Sequence, residues 1–221
     1  MNKNIVILGC PRSGTSLIAQ LVKNVGYDAD NYGTRELMKP NKDFNPDGYF
    51  ERIDIVRTND TLIHLIDKQY SFLNPPSLEE VIRNNTSHQS SIDVSNELKS
   101  YNGWFIKDSR LCFTLNIYDF NNINVIKVVR NPESVKRSMI RHYGNIFEQD
   151  GRHGPHIIKK VDFEEYYDNI NKCIDWQANK FPNITIKYED IMDGNTKSLE
   201  EFLESKIDRS IINPKYRNYA L

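Results

Sequence analysis

Residues 4–9 (Asn-Ile-Val-Ile-Leu-Gly) are a short, β-branched apolar run closed by glycine, the pattern of a buried strand. Downstream, Leu17, Ile18, Leu21, Val22 and Val25 recur at helical spacing, so a strand, a tight loop and a helix over residues 15–25 open the protein. Two further apolar runs end in polar residues, 104–108 and 123–130, and a fourth covers 184–188. These four runs predict strands of one mostly parallel sheet. Between them, Ile55, Leu62, Ile63 and Ile66 share a face of residues 51–67, and Phe163, Tyr166, Tyr167, Ile170, Cys173 and Ile174 share another behind a capping-box-like Asp162-x-x-Glu165. Leu199, Phe202, Leu203 and Ile207 mark a late helix after Gly194-Asn195. Strands alternating with helices predict an α/β fold, a mostly parallel central sheet flanked by helices with right-handed crossovers. Residues 31–49 and 144–155 carry neither period and are expected to be lids or connections.

With 221 residues and a prior of about 150 per domain, one α/β domain over 1–221 is expected. Lys plus Arg number 29 and Asp plus Glu 30, a net charge of -1, so nothing draws the whole chain to nucleic acid or an anionic membrane. The longest aliphatic run, Ile5 to Leu8, is far shorter than the roughly 18 residues of a membrane span. Cys10, Cys112 and Cys173 are odd in number and lack C-x-x-C spacing, which argues against a disulfide framework or thiolate zinc site. His153-x-x-His156 has no obvious third ligand, and no metal is expected. A cytoplasmic protein is expected.

The chemistry concentrates after the first strand, in Gly9-Cys10-Pro11-Arg12-Ser13-Gly14-Thr15-Ser16. This is the G-x-x-x-x-G spacing of a phosphate loop, opening directly onto a helix. Glycines let successive N–H groups converge, the helix N-terminus favours an anion, and Thr15 and Ser16 add hydroxyl donors. Threonine at 15 stands where nucleoside-triphosphate loops have the lysine that reaches the β- and γ-phosphates, while Arg12 supplies a cation earlier in the loop. A phosphatase with Cys10 as nucleophile would need arginine where the chain has Ser16.

Pro11-Arg12-Ser13-Gly14-Thr15-Ser16-Leu17 resembles the loop of sulfotransferases that use 3′-phosphoadenosine 5′-phosphosulfate (PAPS). The resemblance extends to an arginine ending a strand with a serine eight residues later, Arg130 and Ser138, and to Asn45-Pro46-x-Gly48-Tyr49-Phe50-Glu51, Lys107-Asp108-x-Arg110 and Lys187-Tyr188-Glu189-Asp190, as in a bacterial and viral branch. It implies a phosphate-loop, sulfotransferase-like fold in which Pro11, Arg12, Ser13, Gly14, Thr15, Ser16 and Leu17 bind the nucleotide, the amides of Gly14 to Leu17 and the Thr15 and Ser16 hydroxyls holding its 5′-phosphate, and Arg130 and Ser138 hold the 3′-phosphate. Arg12 would meet the transferring group. Two departures stand out: the lysine-rich C-terminal motif of animal cytosolic enzymes is not evident, leaving the adenine contacts unassigned, and Ser109 replaces the expected proline.

Independently of the resemblance, Val128-Val129-Arg130 followed by Asn131-Pro132 reads as a strand end, helix cap and first helical residue, which puts Arg130 on the sheet's carboxyl edge beside the loop. A sulfuryl group carries less charge than a phosphoryl group, so fixed cations can serve without magnesium. An acceptor hydroxyl or amine needs a base, with Glu51, Glu36 and His64 as candidates. Lys107 and Arg110 could complete a substrate crevice, Lys107 equally well forming a structural ion pair with a carboxylate. The acceptor, a small molecule or glycan, would be chosen by segments 31–49, 67–102 and 144–158. Alternatives are a small-molecule kinase and a noncatalytic nucleotide-binding module.

Overall fold

The computed structural model describes residues 3–40, 48–67, 73–84, 86–148, 151–153, 156–158 and 160–213. In chain order they form β1 (Asn4–Gly9), α1 (Thr15–Asn24), α2 (Ile53–Ile66), α3 (Leu78–Arg83), α4 (Gln89–Lys99), β2 (Phe105–Lys107), α5 (Leu111–Thr114), β3 (Ile123–Val129), α6 (Pro132–Tyr143), β4 (Gly151–His153), β5 (His156–Ile158), α7 (Phe163–Ala178), β6 (Asn183–Lys187), α8 (Tyr188–Met192) and α9 (Lys197–Leu203). The four expected strands pair in parallel in the order β2-β1-β3-β6.

Alternation along the strands divides the core into two layers. Val6 and Leu8 of β1, Ile106 of β2 and Val125 of β3 face the cluster built with α2, α4, α5, α6 and α7. Ile5 and Ile7, Phe105, Ile126, Val128 and Ile186 face α1, α8 and α9. The register pairs Val6 with Val125 and Ile7 with Ile126, so each face stays apolar across the central strands. Burial on both faces explains why β1 reads as an unbroken apolar run rather than an alternating one.

The connection from β1 leads to the β2 side of the sheet and that from β3 to the β6 side. The chain therefore diverges between the carboxyl ends of β1 and β3, the place where open α/β sheets form their ligand crevice. The phosphate loop leaves β1 there and Arg130 follows β3 there.

The structure corrects several sequence expectations. Segment 67–102 holds two helices: α3 opens on a capping box between Ser77 and Glu80, and α4 on one between His88 and Ser91. Residues 36–38 do not run free. Met38 N–H donates to the Glu51 carbonyl (2.8 Å) and Ile53 N–H to the Glu36 carbonyl (2.9 Å), a short antiparallel contact with the start of α2. Within 144–158, β4 and β5 pair antiparallel. Tyr188, read as the end of a strand, begins α8. Ile207 packs into the core beyond α9, which Glu204 ends in the left-handed conformation. Asn45 and Pro46 lie outside the described residues, as do the side chains of His153 and His156. No helix among the described residues is long and apolar enough to cross a membrane, and no group of three or more His, Cys, Asp or Glu among them could hold a metal.

Candidate functional site

Gly14 caps α1 in the left-handed region (φ 97°), without a side-chain cap and with no acidic residue in the helix's first turn. That leaves an N-terminus whose amides and partial positive charge favour an anion. Gly14 is required for two reasons: its φ, and the Tyr188 ring, with which any Cβ at this position would collide. Within the loop Ser13 N–H donates to the Cys10 carbonyl (3.0 Å) and Leu17 N–H to the Gly14 carbonyl (3.0 Å). The Leu17 side chain is core; Thr15 is buried and Pro11 and Ser16 half-buried. The Ser13 hydroxyl is buried without a partner among the described residues. Burial pushes the Cys10 thiol up, away from the thiolate a phosphatase nucleophile would need.

Arg12 is also left-handed (φ 69°), a conformation that costs a non-glycine residue about 1–2 kcal/mol and must be held from outside. Arg130 Nη1 holds it by donating to the Arg12 carbonyl at 3.0 Å, and Arg12 Nε donates to Ser138 Oγ at 3.1 Å. The two sequence signatures, 118 and 126 residues apart, thus meet at Arg12. Burial lowers the proton affinity of the Arg12 guanidinium, against the pull of Tyr143, Tyr49 and Tyr188, with Arg141 adding to the lowering.

Arg130 lies over the Tyr188 ring, 4.4 Å from its centroid, and Tyr167 OH donates to the Arg130 carbonyl (2.9 Å). Next door, Asn131 N–H donates to Glu189 (3.0 Å), and the Asn131 side chain caps α6 through Ser134 N–H. Arg130 Nε and Nη2 are buried and have no hydrogen-bond partner among the described residues. Burial lowers this guanidinium's proton affinity too; Tyr188 and Glu189 oppose the effect, while Arg12 and Arg137 add to it. The phosphate loop and Arg130 therefore bring two guanidinium groups to a helix N-terminus, with two buried Arg130 donors unmet among the described residues.

On the other side of the loop, Lys107 Nζ donates to Glu51 Oε1 at 2.6 Å, to the Tyr49 carbonyl at 3.2 Å and to Ser16 Oγ at 3.3 Å. Lys107 and Glu51, weighed separately in the sequence, are one buried ion pair. Burial raises the Glu51 carboxyl above the ordinary range; Lys107 opposes this, Asp108 adds to it, and Arg110 opposes. Glu51 is delivered by an approach strained at Phe50, which is left-handed at φ 55°, after Gly48 at φ 98°, a conformation glycine adopts freely.

Arg110 does not reach out alone. It donates through Nε to Asp108 Oδ1 (3.0 Å) and through Nη1 to Asp60 (3.2 Å). Asp108 also accepts from Asn59 (2.8 Å), whose oxygen takes hydroxyl protons from Thr114 (2.7 Å) and Tyr118 (2.8 Å). Of the other base candidates, the Glu36 side chain is exposed, and His64 is exposed with Nδ1 at 2.7 Å from the Asp60 carbonyl. His64 stands about 16 Å along α2 from its start at the rise of a helix. Sequence reasoning missed Tyr188, the floor beneath both Gly14 and Arg130, and the grouping of Tyr49 and Tyr143 about Arg12. Tyr188 lay inside a quoted motif, but an aromatic at the end of an apolar run carries no signal of its own.

The family described as "Sulfotransferase family" matches residues 4–205. No curated protein matches significantly. Among solved structures, the chain is similar to a sulfotransferase domain from the curacin biosynthetic pathway, at 13% identity and a TM-score of 0.51 over 97% of this chain and 78% of that one. An unliganded sugar kinase from Janibacter sp. HTCC2649 aligns at 9% identity and a TM-score of 0.46, over 96% of this chain and 99% of that one. At these identities the curacin-pathway likeness speaks to the α/β fold alone, and the kinase likeness carries no argument.

Proposed function

We propose that this chain, which belongs to the sulfotransferase family, moves a sulfuryl group from PAPS to a hydroxyl or amine of a small-molecule or glycan acceptor. The observation that carries the donor assignment is Arg130, a buried guanidinium with two nitrogens unpartnered among the described residues, beside a phosphate loop whose helix N-terminus has no side-chain cap. Leaving a buried donor unmet costs about 1–3 kcal/mol, more for a charged group, and an anion held there removes that cost. The crevice then offers two anion sites, one at the α1 N-terminus and one at Arg130. A nucleotide phosphorylated at both its 5′ and 3′ positions satisfies both; a nucleotide with phosphates at one end satisfies one.

In this reading Pro11, Ser13, Gly14, Thr15, Ser16 and Leu17 shape the loop that receives the 5′-phosphate, and Arg130 with Ser138 receives the 3′-phosphate. PAPS supplies an activated sulfuryl group, whose bond to the bridging oxygen of the 5′-phosphate breaks as the acceptor oxygen or nitrogen bonds to sulfur. Glu51 takes the acceptor's proton, and Arg12 stabilises the negative charge left on the bridging oxygen. Lys107 and Arg110 border the acceptor side, Arg110 through its ties to Asp108 and Asp60. Tyr49, half-buried beside Arg12, narrows the approach.

Arg130→Ala tests the assignment. Loss of a charged hydrogen-bond partner is expected to weaken adenosine 3′,5′-bisphosphate about 10- to 150-fold by calorimetry. Adenosine 5′-phosphosulfate, which lacks the 3′-phosphate, is expected to bind variant and parent alike. Equal weakening of both would assign Arg130 to holding the Arg12 carbonyl instead.

A further inference from the structure

Lys107 ends β2 with its ammonium where three segments meet. Its contacts lie 2.6 Å away on Glu51, 3.2 Å away on the Tyr49 carbonyl and 3.3 Å away at Ser16 Oγ, in the first turn of α1. An ammonium has three protons, and each has a partner. One faces the proposed base, one the strained approach to it, and one the phosphate loop. The Lys107 and Glu51 side chains are 6% and 10% exposed, so solvent does little to screen the pair, and a third charge near Lys107 must be felt at Glu51. Ser16 marks where that third charge arrives. A lysine is a point charge on a flexible stem and can turn toward an anion without moving the backbone.

We propose that Lys107 is a positioning residue that gates Glu51: without nucleotide it neutralises the carboxylate, and an anion at the phosphate loop draws it away and leaves Glu51 the stronger base. The inference rests on the reading of the loop as the donor site and of Glu51 as the base. The base is then armed only when the donor is in place, and proton abstraction from the acceptor is coupled to donor occupancy. Glu51 is faced by Lys107 from β2, by Asp108 and Arg110 just beyond it, by Tyr49 from its own approach and by Tyr143 from α6. Of these, Lys107 and Arg110 favour the carboxylate and Asp108 opposes it. Drawing off the ammonium that touches Glu51 raises its proton affinity further, so anion binding must be accompanied by proton uptake.

The test is calorimetric titration of adenosine 3′,5′-bisphosphate between about pH 6 and 8 in buffers of contrasting ionisation enthalpy, which counts protons exchanged on binding. The wild-type protein is expected to take up more protons than Glu51→Gln, by a fraction of a proton per site that grows as pH falls, because Glu51 must stay mostly ionised to act as the base. Comparison with that variant subtracts the titration of the nucleotide's own phosphates. Lys107→Met is expected to match Glu51→Gln in proton count, and Lys107→Arg to restore part of the difference. If Lys107→Met does not fold, Lys107→Gln takes its place as the test of Lys107, while wild type against Glu51→Gln shows whether Glu51 takes up the proton. Tight binding with identical proton counts in those two proteins would overturn the coupling while leaving the donor site standing. Absence of nucleotide binding would overturn the donor reading, and the inference with it.

Discussion

Glu51→Gln is expected to lower turnover about 10²- to 10⁴-fold with a confirmed acceptor, the range over which a positioned general base contributes. Product-nucleotide affinity is expected not to fall, and to rise modestly because the carboxylate no longer competes with the anion for Lys107. The amide preserves size and can still accept from Lys107, so the contact that now measures 2.6 Å survives while the proton acceptor is lost. The direction of the Glu51 shift agrees with the role. Burial raises its proton affinity more than Lys107 lowers it, which brings a carboxylate closer to the pH at which a base is most effective. The corresponding pH effect has a definite sign: activity is expected to rise with pH as Glu51 loses its proton, and that limb to vanish in Glu51→Gln. Initial rates beside calorimetric binding check both statements. Turnover near the parent's would remove Glu51 from the chemistry and bring Glu36 forward.

Arg12→Ala is expected to reduce turnover about 10²- to 10³-fold, the usual cost of losing a donor aimed at developing charge. The product nucleotide should lose much less affinity, because the interaction strengthens as the bridging oxygen becomes an anion. The backbone supports a separation of the two effects. Arg12 is held left-handed through its carbonyl by Arg130, a contact that does not involve its side chain, and alanine keeps it. Arg12→Lys keeps the cation and is expected to recover part of the rate, though not the Nε contact to Ser138. Equal losses in turnover and affinity would confine Arg12 to ground-state binding.

Much of this site was readable because its parts are local. A strand buried on both faces, a glycine loop and a helix within residues 4–24 determine the phosphate-loop geometry among themselves, and Asn131-Pro132 after an apolar run determines where Arg130 stands. The pairing of Lys107 with Glu51 was not readable, since 56 residues separate them and nothing in either neighbourhood specifies the other. Tyr188 reads as strand in the sequence but is helical, because β6 runs into α8 with no intervening loop and its apolar run spans the boundary. Helices α3 and α4 carry a weak apolar signal because they bury little: Val81 is the buried residue of α3, and two of the four in α4 are serines. Their caps were the stronger signal, Ser77-x-x-Glu80 above all. The buried Arg52, paired with Asp54 at 2.6 Å and Glu97 at 3.0 Å, ties the start of α2 to α4; it gave no sign in a sequence where most charges are solvated.

The central claim is that the crevice is built for a nucleotide phosphorylated at both its 5′ and 3′ positions, and calorimetric titration of the unaltered protein tests it most directly. Adenosine 3′,5′-bisphosphate without added metal is expected to bind at least about tenfold more tightly than ATP with magnesium, because only the former gives Arg130 and the α1 N-terminus an anion each. ATP with magnesium binding as tightly or more tightly would contradict the claim and favour a phosphate-loop kinase.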